Sequence, residues 1–185
     1  MILNNYGIKL VRLTEDKIEM VRRWRNDAKI SKYMEYREAI TPEMQAKWFY
    51  SINNNYNYYF FICIHDLEIG LINIKEINAD CTEGEGGVFI YDDKYLNTDV
   101  AYRAHLVLFD YFFYEKNFDR IISHVLVDNE RAIRFTQYLG FYEESGQEGV
   151  YNRKYVLKKT DYIENVNRLR FLKKWNKYKQ IQLQK

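Results

Sequence analysis

The part of this 185-residue chain best equipped for chemistry runs from Glu85 to Phe141. Gly86-Gly87-Val88-Phe89-Ile90-Tyr91 reads as a strand that leads, through the loop Tyr95 to Ala101, into the N-terminus of a long helix. Such a helix start presents backbone N–H groups that lack intrahelical partners, together with the positive end of the helix dipole, to an anion. A second helix opens directly after a strand at Asn129-Glu130-Arg131-Ala132-Ile133, where the asparagine is either an N-cap or a ligand contact. Asp99 either sets a carboxylate where the anion would sit or caps the long helix by turning onto its N–H groups. His65, His105 and His124 are scattered, and Cys63 and Cys81 show no zinc spacing and no disulfide framework. No metal is therefore expected.

The elements that must position these groups follow from periodicity. Ile8 to Leu13 alternates as a strand, and Thr14 stands as an N-cap before a helix that carries Ile18, Val21 and Trp24. A second helix opens at Thr41-Pro42-Glu43, bears Met44, Trp48 and Phe49 on one face, and ends near Asn53-Asn54-Asn55. Strands are predicted over Tyr58 to His65, Leu67 to Ile77 and Glu85 to Tyr91, with Gly70 marking a bulge or a close approach. Ala101, Ala104, Leu108, Tyr111 and Phe112 recur at spacings of three and four, which predicts a buried helix from Val100 to Lys116. Arg120 to Val127 is a strand, Asn129 to Tyr138 a helix, and Phe141 to Lys159 a hairpin turning at Gly146 to Gly149. The order β-α-α-β-β-β-α-β-α-β-β predicts a mixed α/β (α+β) fold with a largely antiparallel sheet flanked by helices.

Apolar residues make up 47% of the chain and charged residues 29%, which excludes a disordered protein. No apolar run reaches a membrane span, and no secretion signal opens the chain, so a cytoplasmic protein without integral membrane association is expected. The net charge of +2 is unevenly placed: Asp161 to Lys185 holds seven basic residues against two acids, which leaves −3 on the remainder. An acidic main body argues against a nucleic-acid partner. The organisation expected is a domain over 1–160 and a basic helical extension over 161–185. In the extension Asp161 and Glu164 form a capping box, and Ile163, Val166, Leu169 and Leu172 share a face. That helix either docks on its own domain or a second subunit, or binds an anionic membrane or partner through its basic face.

Together these pieces resemble the GNAT superfamily of acyl-CoA-dependent N-acyltransferases over about residues 8 to 158. The sharpest piece is the run from Asn129 to Phe141, ending Leu139-Gly140-Phe141, which matches the family's Asn-x-x-Ala-Ile-x-x-x-x-x-Leu-Gly-Phe pattern. The resemblance implies a GNAT-like fold with acetyl-CoA as co-substrate, lying between the strand that ends at Tyr91 and the strand that ends at Val127. Pantetheine amides would then pair with the backbone of Phe89, Ile90 and Tyr91, with Asn129 as a further contact. The pyrophosphate would sit on Leu96, Asn97, Thr98, Asp99, Val100, Ala101 and Tyr102. Against the family's Gln/Arg-x-x-Gly-x-Gly/Ala, the loop Leu96-Asn97-Thr98-Asp99-Val100-Ala101 retains only Ala101. The missing glycines leave open a weak or altered CoA site, or a protein that has lost acyl transfer. The family's chemistry assigns Glu85 as the base that takes the amine proton and a backbone N–H near Ile90 as the oxyanion donor. Thr136 stands where many relatives carry the tyrosine that protonates the leaving thiolate, and a threonine there positions a water.

The N-terminal half narrows the resemblance. Trp24-Arg25-Asn26-Asp27, Met34, Ile40-Thr41-Pro42-Glu43 and Trp48-Phe49 are similar to the acetyltransferases that modify nucleotide-linked amino sugars for surface glycans. They are similar, less closely, to the enzymes that acetylate ribosomal-protein N-termini. The resemblance puts Asn26, Met34, Glu35 and Tyr36 at the acceptor side of the cleft, with Trp48 and Phe49 in the core. The expected function is acetyl transfer to a small-molecule primary amine, a nucleotide-linked amino sugar first. A protein N-terminus and a catalytically silent binding protein of the same fold stand as alternatives, and a homodimer is compatible with each.

Overall fold

Strands in the N-terminal half follow one another as a meander, each antiparallel to its predecessor: β1 (Ile2–Asn5), β2 (Ile8–Arg12), β3 (Tyr58–Ile64), β4 (Leu67–Lys75) and β5 (Glu83–Ile90). The computed structural model describes residues 1–183, with side chains to residue 180. The chain forms two compact units, the first Met1–Phe118 and the second beginning at Asp119.

In the first unit, β1 is an element the sequence reading lacked. It pairs through a two-residue turn in which Tyr6 and Gly7 both adopt positive φ (52° and 68°), and its side chains are too exposed to show an inward face. Strand alternation sorts the rest. Ile8, Leu10, Phe60, Ile62, Ile72 and Ile74 point to one face and are almost wholly buried. Helix α4 (Val100–Asp110) lies on this side, and Tyr6 donates from its hydroxyl to Asp110 Oδ2 at 2.5 Å. On the other face Leu13, Tyr59, Phe61, Cys63 and Leu71 form a core with Val21 and Trp24 of α1 (Ile18–Asn26) and Phe49 of α3 (Pro42–Ile52). Between them α2 (Ala28–Ser31) is a single turn capped by Asp27, whose carboxylate accepts from Lys29 N at 3.0 Å.

Several local expectations are corrected. Thr14 makes no side-chain cap; its carbonyl accepts from Lys17 N, and the 3₁₀ turn Glu15–Lys17 precedes α1. Thr41 does cap α3, accepting from Met44 N at 3.2 Å, but the buried face of that helix is Gln45 and Phe49, while Met44 is exposed. The long helix is α-helical only to Asp110 and continues as a π turn over Tyr111–Glu115. Gly70 serves both roles expected of it. The β3–β4 register shifts at Ile62/Cys63, and a Cβ on Gly70 would lie 2.3 Å from Phe89 O.

The second unit holds β6 (Arg120–Leu126), α5 (Glu130–Tyr138), β7 (Tyr142–Glu143), β8 (Asn152–Lys158), α6 (Lys159–Glu164) and α7 (Val166–Leu183). β8 pairs antiparallel with both β6 and β7. The expected 160/161 boundary falls inside α6, and Gln184 and Lys185 of the predicted extension lie outside the described residues. The capping box is replaced. Asp161 lies within α6, and Asn165 breaks the helix and caps α7 by accepting from Arg168 N at 2.9 Å. Tyr162 and Arg168 are buried, whereas Ile163, Val166 and Leu169 are exposed. The stripe expected to dock therefore faces outward. Among the described residues no helix is long and apolar enough to cross a membrane.

Candidate active site

Strand β5 and the start of α4 are joined by a short ordered segment, and each hydrogen bond in it fixes a backbone direction. Tyr91 N donates to Ile69 O at 2.8 Å, so by alternation Phe89 and Tyr91 turn their peptide groups toward β4 and Ile90 turns its own away. Asp92 accepts from Lys94 N and starts the 3₁₀ turn Asp93–Tyr95. Asn97 takes the left-handed conformation (φ 62°), a place asparagine tolerates because its short amide bonds locally. Thr98 then donates to Tyr95 O at 2.7 Å and accepts from Val100 N at 3.3 Å. The first intrahelical bond of α4 is Arg103 N to Asp99 O, so the amides of Val100, Ala101 and Tyr102 precede the ladder, as in any helix start.

Of the two expectations for Asp99, the cap is overturned. Its side chain makes no cap; it pairs with Arg103 Nε at 3.0 Å, one turn along the same helix. Its φ of −80° suits any residue, so the missing glycine costs no backbone strain, and the left-handed position sits two residues earlier at Asn97. Arg103 also donates to Tyr6 O at 3.0 Å, which ties the first turn of α4 to the β1–β2 hairpin. Beneath this turn His105 is buried, its Nδ1 donating to Ala101 O at 2.7 Å, and burial depresses its pKa to about 4. It is neutral and serves packing.

Glu85 and Phe89 point to the α1 face of the sheet. Register sets Glu85 opposite Lys75, and the two pair at 3.3 Å; Lys75 also bonds Glu76 at 3.0 Å. Burial works against the Lys75 charge, but its bond to Glu76 and the Glu85 carboxylate together raise its pKa. Asn73, on the same face, reaches the Glu85 carbonyl at 3.4 Å and lies 3.0 Å from where a Gly87 Cβ would be, so only glycine leaves that amide its place. Tyr91 stacks on Trp24 with centroids 5.0 Å apart, and Lys29 Nζ covers the ring at 4.1 Å. The strand carrying the thioester-side candidates and the helix carrying the acceptor-side ones are thus locked through Trp24, which also meets Phe89 at 6.2 Å.

Of the acceptor-side candidates, Asn26 acts as a clamp. Its Nδ2 donates to Ile40 O at 2.9 Å while its Oδ1 accepts from Ile40 N at 2.8 Å, and Arg22 adds a bond to the same carbonyl. This pins the far end of the segment that contains Met34, Glu35 and Tyr36. Met34 is half-buried, its carbonyl bonded by Arg37; Glu35 is exposed; Tyr36 lines a cavity of about 300 Å³. Val21, Ile40 and Met44 give the cavity apolar walls, Trp48 a second ring, and Arg25 and Gln45 its polar groups. Gln45 escaped the sequence reading because it belongs to no periodic or motif signal, and Arg25 stood inside the Trp24-Arg25-Asn26-Asp27 run without a role of its own. Arg103 was within reach of it as an i,i+4 partner of Asp99.

In the second unit Asn129 is an N-cap, accepting from Ala132 N at 3.1 Å. At the other end of α5 the Leu139-Gly140-Phe141 triplet forms a Schellman turn: Gly140 has φ 100°, Gly140 N bonds Gln137 O, and Phe141 N bonds Thr136 O. Leu139 and Phe141 are buried on either side of that glycine, so this motif has a folding reason of its own. Thr136 is buried within the last turn. Among the described residues no group of three His, Cys, Asp or Glu side chains is gathered for a metal ion.

The sequence profile of the acetyltransferase (GNAT) domain matches residues 8–142. No curated protein sequence matches the chain. Among solved structures, spermidine N-acetyltransferase from Vibrio cholerae in complex with CoA and spermine is similar at a TM-score of 0.74 and 20% identity, covering 86% of this chain and 100% of that one. A dodecameric structure of spermidine N-acetyltransferase from the same organism gives 0.69 and 21%, with 88% and 99% covered. At such identities the structural likeness speaks for the fold, while the profile spans most of the chain. The chain therefore belongs to the GNAT acetyltransferases, enzymes that move the acetyl group of acetyl-CoA onto an amine.

Proposed function

We propose that the protein acetylates the primary amine of a nucleotide-linked amino sugar, with the CoA diphosphate on the first turn of α4. The observation that carries the reading is the Asp99–Arg103 ion pair. It sets a guanidinium against the Asp99 carboxylate, which would otherwise repel the diphosphate, and it leaves the first-turn amides uncapped by that side chain. This favours a working enzyme over a silent relative. The Ile90 N–H, turned away from β4, is suited to hydrogen-bond the thioester oxygen as it gains negative charge.

In the reaction, the free amine attacks the thioester carbonyl carbon and the C–S bond breaks as the tetrahedral intermediate collapses. The proton lost by the amine goes to Glu85, directly or through water, and on to solvent, while the CoA thiolate takes a proton from solvent. Lys75, 3.3 Å away, holds the Glu85 carboxylate in place. The cavity supports an anionic acceptor over a polyamine, the substrate named for the Vibrio cholerae enzyme, because a polycation requires carboxylates and none lines it.

The test is an acceptor panel with acetyl-CoA, reading free CoA thiol. A uridine-diphosphate-linked amino sugar is expected to release thiol faster than spermidine or a peptide amine. Faster turnover of either of those reassigns the acceptor. Acetyl-CoA binding without thiol release from any amine establishes the silent protein.

A further inference from the structure

The cavity beside α1 and α3 holds two donors that the fold leaves unused. Gln45 is only 4% exposed, and its Nε2 finds no hydrogen-bond partner among the described residues. The Arg25 Nε–H, on the same cavity, is also buried and unpartnered. Burial lowers the Arg25 pKa, and no carboxylate is close enough to oppose it. A buried donor left unsatisfied lowers stability, and a half-buried guanidinium with no counter-charge beside it adds to that cost. Nothing in the packing of α3 calls for a glutamine at this point, since Phe49 one turn on supplies the buried apolar contact. Two such groups facing one cavity are explained by an acceptor that arrives with a ligand.

We propose that Arg25 and Gln45 bind a phosphate oxyanion carried by the acceptor substrate. This rests on the amino-sugar reading above and adds the residues that would select it. A guanidinium offers a planar fork that matches phosphate oxygens, and an amide N–H₂ adds a neutral donor that tightens the orientation. The rings of Tyr36 and Trp48 and the apolar wall of Val21, Ile40 and Met44 give a flat nucleoside surfaces to lie against. The rim is already organised, because Asn26 clamps Ile40 on both its N–H and its C=O. Binding then requires little reordering of that edge. A polyamine would instead bring ammonium groups against Arg25.

The experiment is calorimetry with uridine diphosphate on protein saturated with CoA, so that the diphosphate site on α4 is filled. Arg25→Gln and the volume-conserving Gln45→Met are each expected to weaken uridine diphosphate about 10- to 100-fold. The unliganded Gln45→Met protein is expected to melt at or above the wild-type temperature, since an unmet donor is removed; a residue serving only the fold would melt lower. Equal affinity in wild type and both variants overturns the proposal, as does no binding to wild type. A glutamate-containing dipeptide that binds where uridine diphosphate does not would overturn the phosphate assignment. Spermidine binding that is tighter in wild type than in Arg25→Gln does the same. Binding is read without turnover, so an absence of acetyl transfer would sink the proposed function and leave this result standing. Conversely, acetylation of the amino sugar with unchanged KM in both variants would sink the site and keep the function.

Discussion

The segment from β5 through the first turn of α4, proposed as the donor side, is ordered largely by backbone hydrogen bonds. The segment from α1 to α3, proposed as the acceptor side, is ordered by side chains. At Leu96 to Ala101 nearly every family residue is replaced, yet the left-handed residue, the Thr98 turn and the helix start are all present, because Asn97 adopts positive φ and Arg103 absorbs the Asp99 charge. On the acceptor side, Asn26, Arg22, Arg25, Gln45 and Trp24 each have a contact or a cavity position that no other residue type reproduces. Sites built from amides tolerate sequence drift, and sites built from side chains do not.

That contrast is tested first at Glu85, the proposed base. Glu85→Gln is expected to lower turnover about 10²–10⁴-fold at neutral pH with acetyl-CoA affinity little changed, and higher pH should recover part of the rate. Wild-type turnover from about pH 6 to pH 9 would remove Glu85 as the base. Next in size is Trp24→Ala. Trp24 meets Phe61, Phe89 and Tyr91 within 6.2 Å, so its loss should cost about 3–5 kcal/mol in denaturant unfolding. A cost below about 1 kcal/mol would mean the aromatic lock does not hold α1 to the sheet.

His105 tests the donor side through pH. Native His105 titrates near pH 4, and the unfolded chain takes up that proton near its ordinary value of about 6.5. Stability is therefore fully present above about pH 6.5 and is lost as pH falls toward about 4, by on the order of 3 kcal/mol. His105→Phe should flatten that part of the pH–stability curve; an unchanged slope would place the transition elsewhere. Arg103→Ala should weaken acetyl-CoA about tenfold, or about 1.4 kcal/mol, by releasing the Asp99 charge. Asp99→Gly alone should change little, and adding it to Arg103→Ala should restore affinity. No rescue would show that Arg103 acts only through Tyr6. Smallest, Asn129→Ala should cost about 1 kcal/mol of stability for the lost cap, read by melting. A raised acetyl-CoA dissociation constant in the folded variant would add a ligand contact to the cap.

Reading these elements from sequence succeeded where the physical cause was local. Thr41-Pro42 capped a helix, Asn129 another, and the turn at Gly146 lay where expected, since each depends on residues within one turn of itself. The reading missed where the cause was distant. An exposed strand such as β1 carries no inward pattern, and Thr14 lost its cap to a 3₁₀ turn. Ile163, Val166 and Leu169 look like a buried stripe until Asn165 interrupts the helix and shifts the face.

Strand periods, helix caps and the Leu139-Gly140-Phe141 turn were thus determined by the sequence itself, because hydrogen-bond geometry and φ preferences act over a few residues. The tertiary structure alone decided that Glu85 faces Lys75 and that Asn26 holds Ile40. It also decided that Gln45 Nε2 and Arg25 Nε are buried on one cavity without a hydrogen-bond partner among the described residues. Charge pairing beyond one helical turn, sheet register and cavity shape depend on which surfaces meet, and packing selects those surfaces from many that a linear pattern allows.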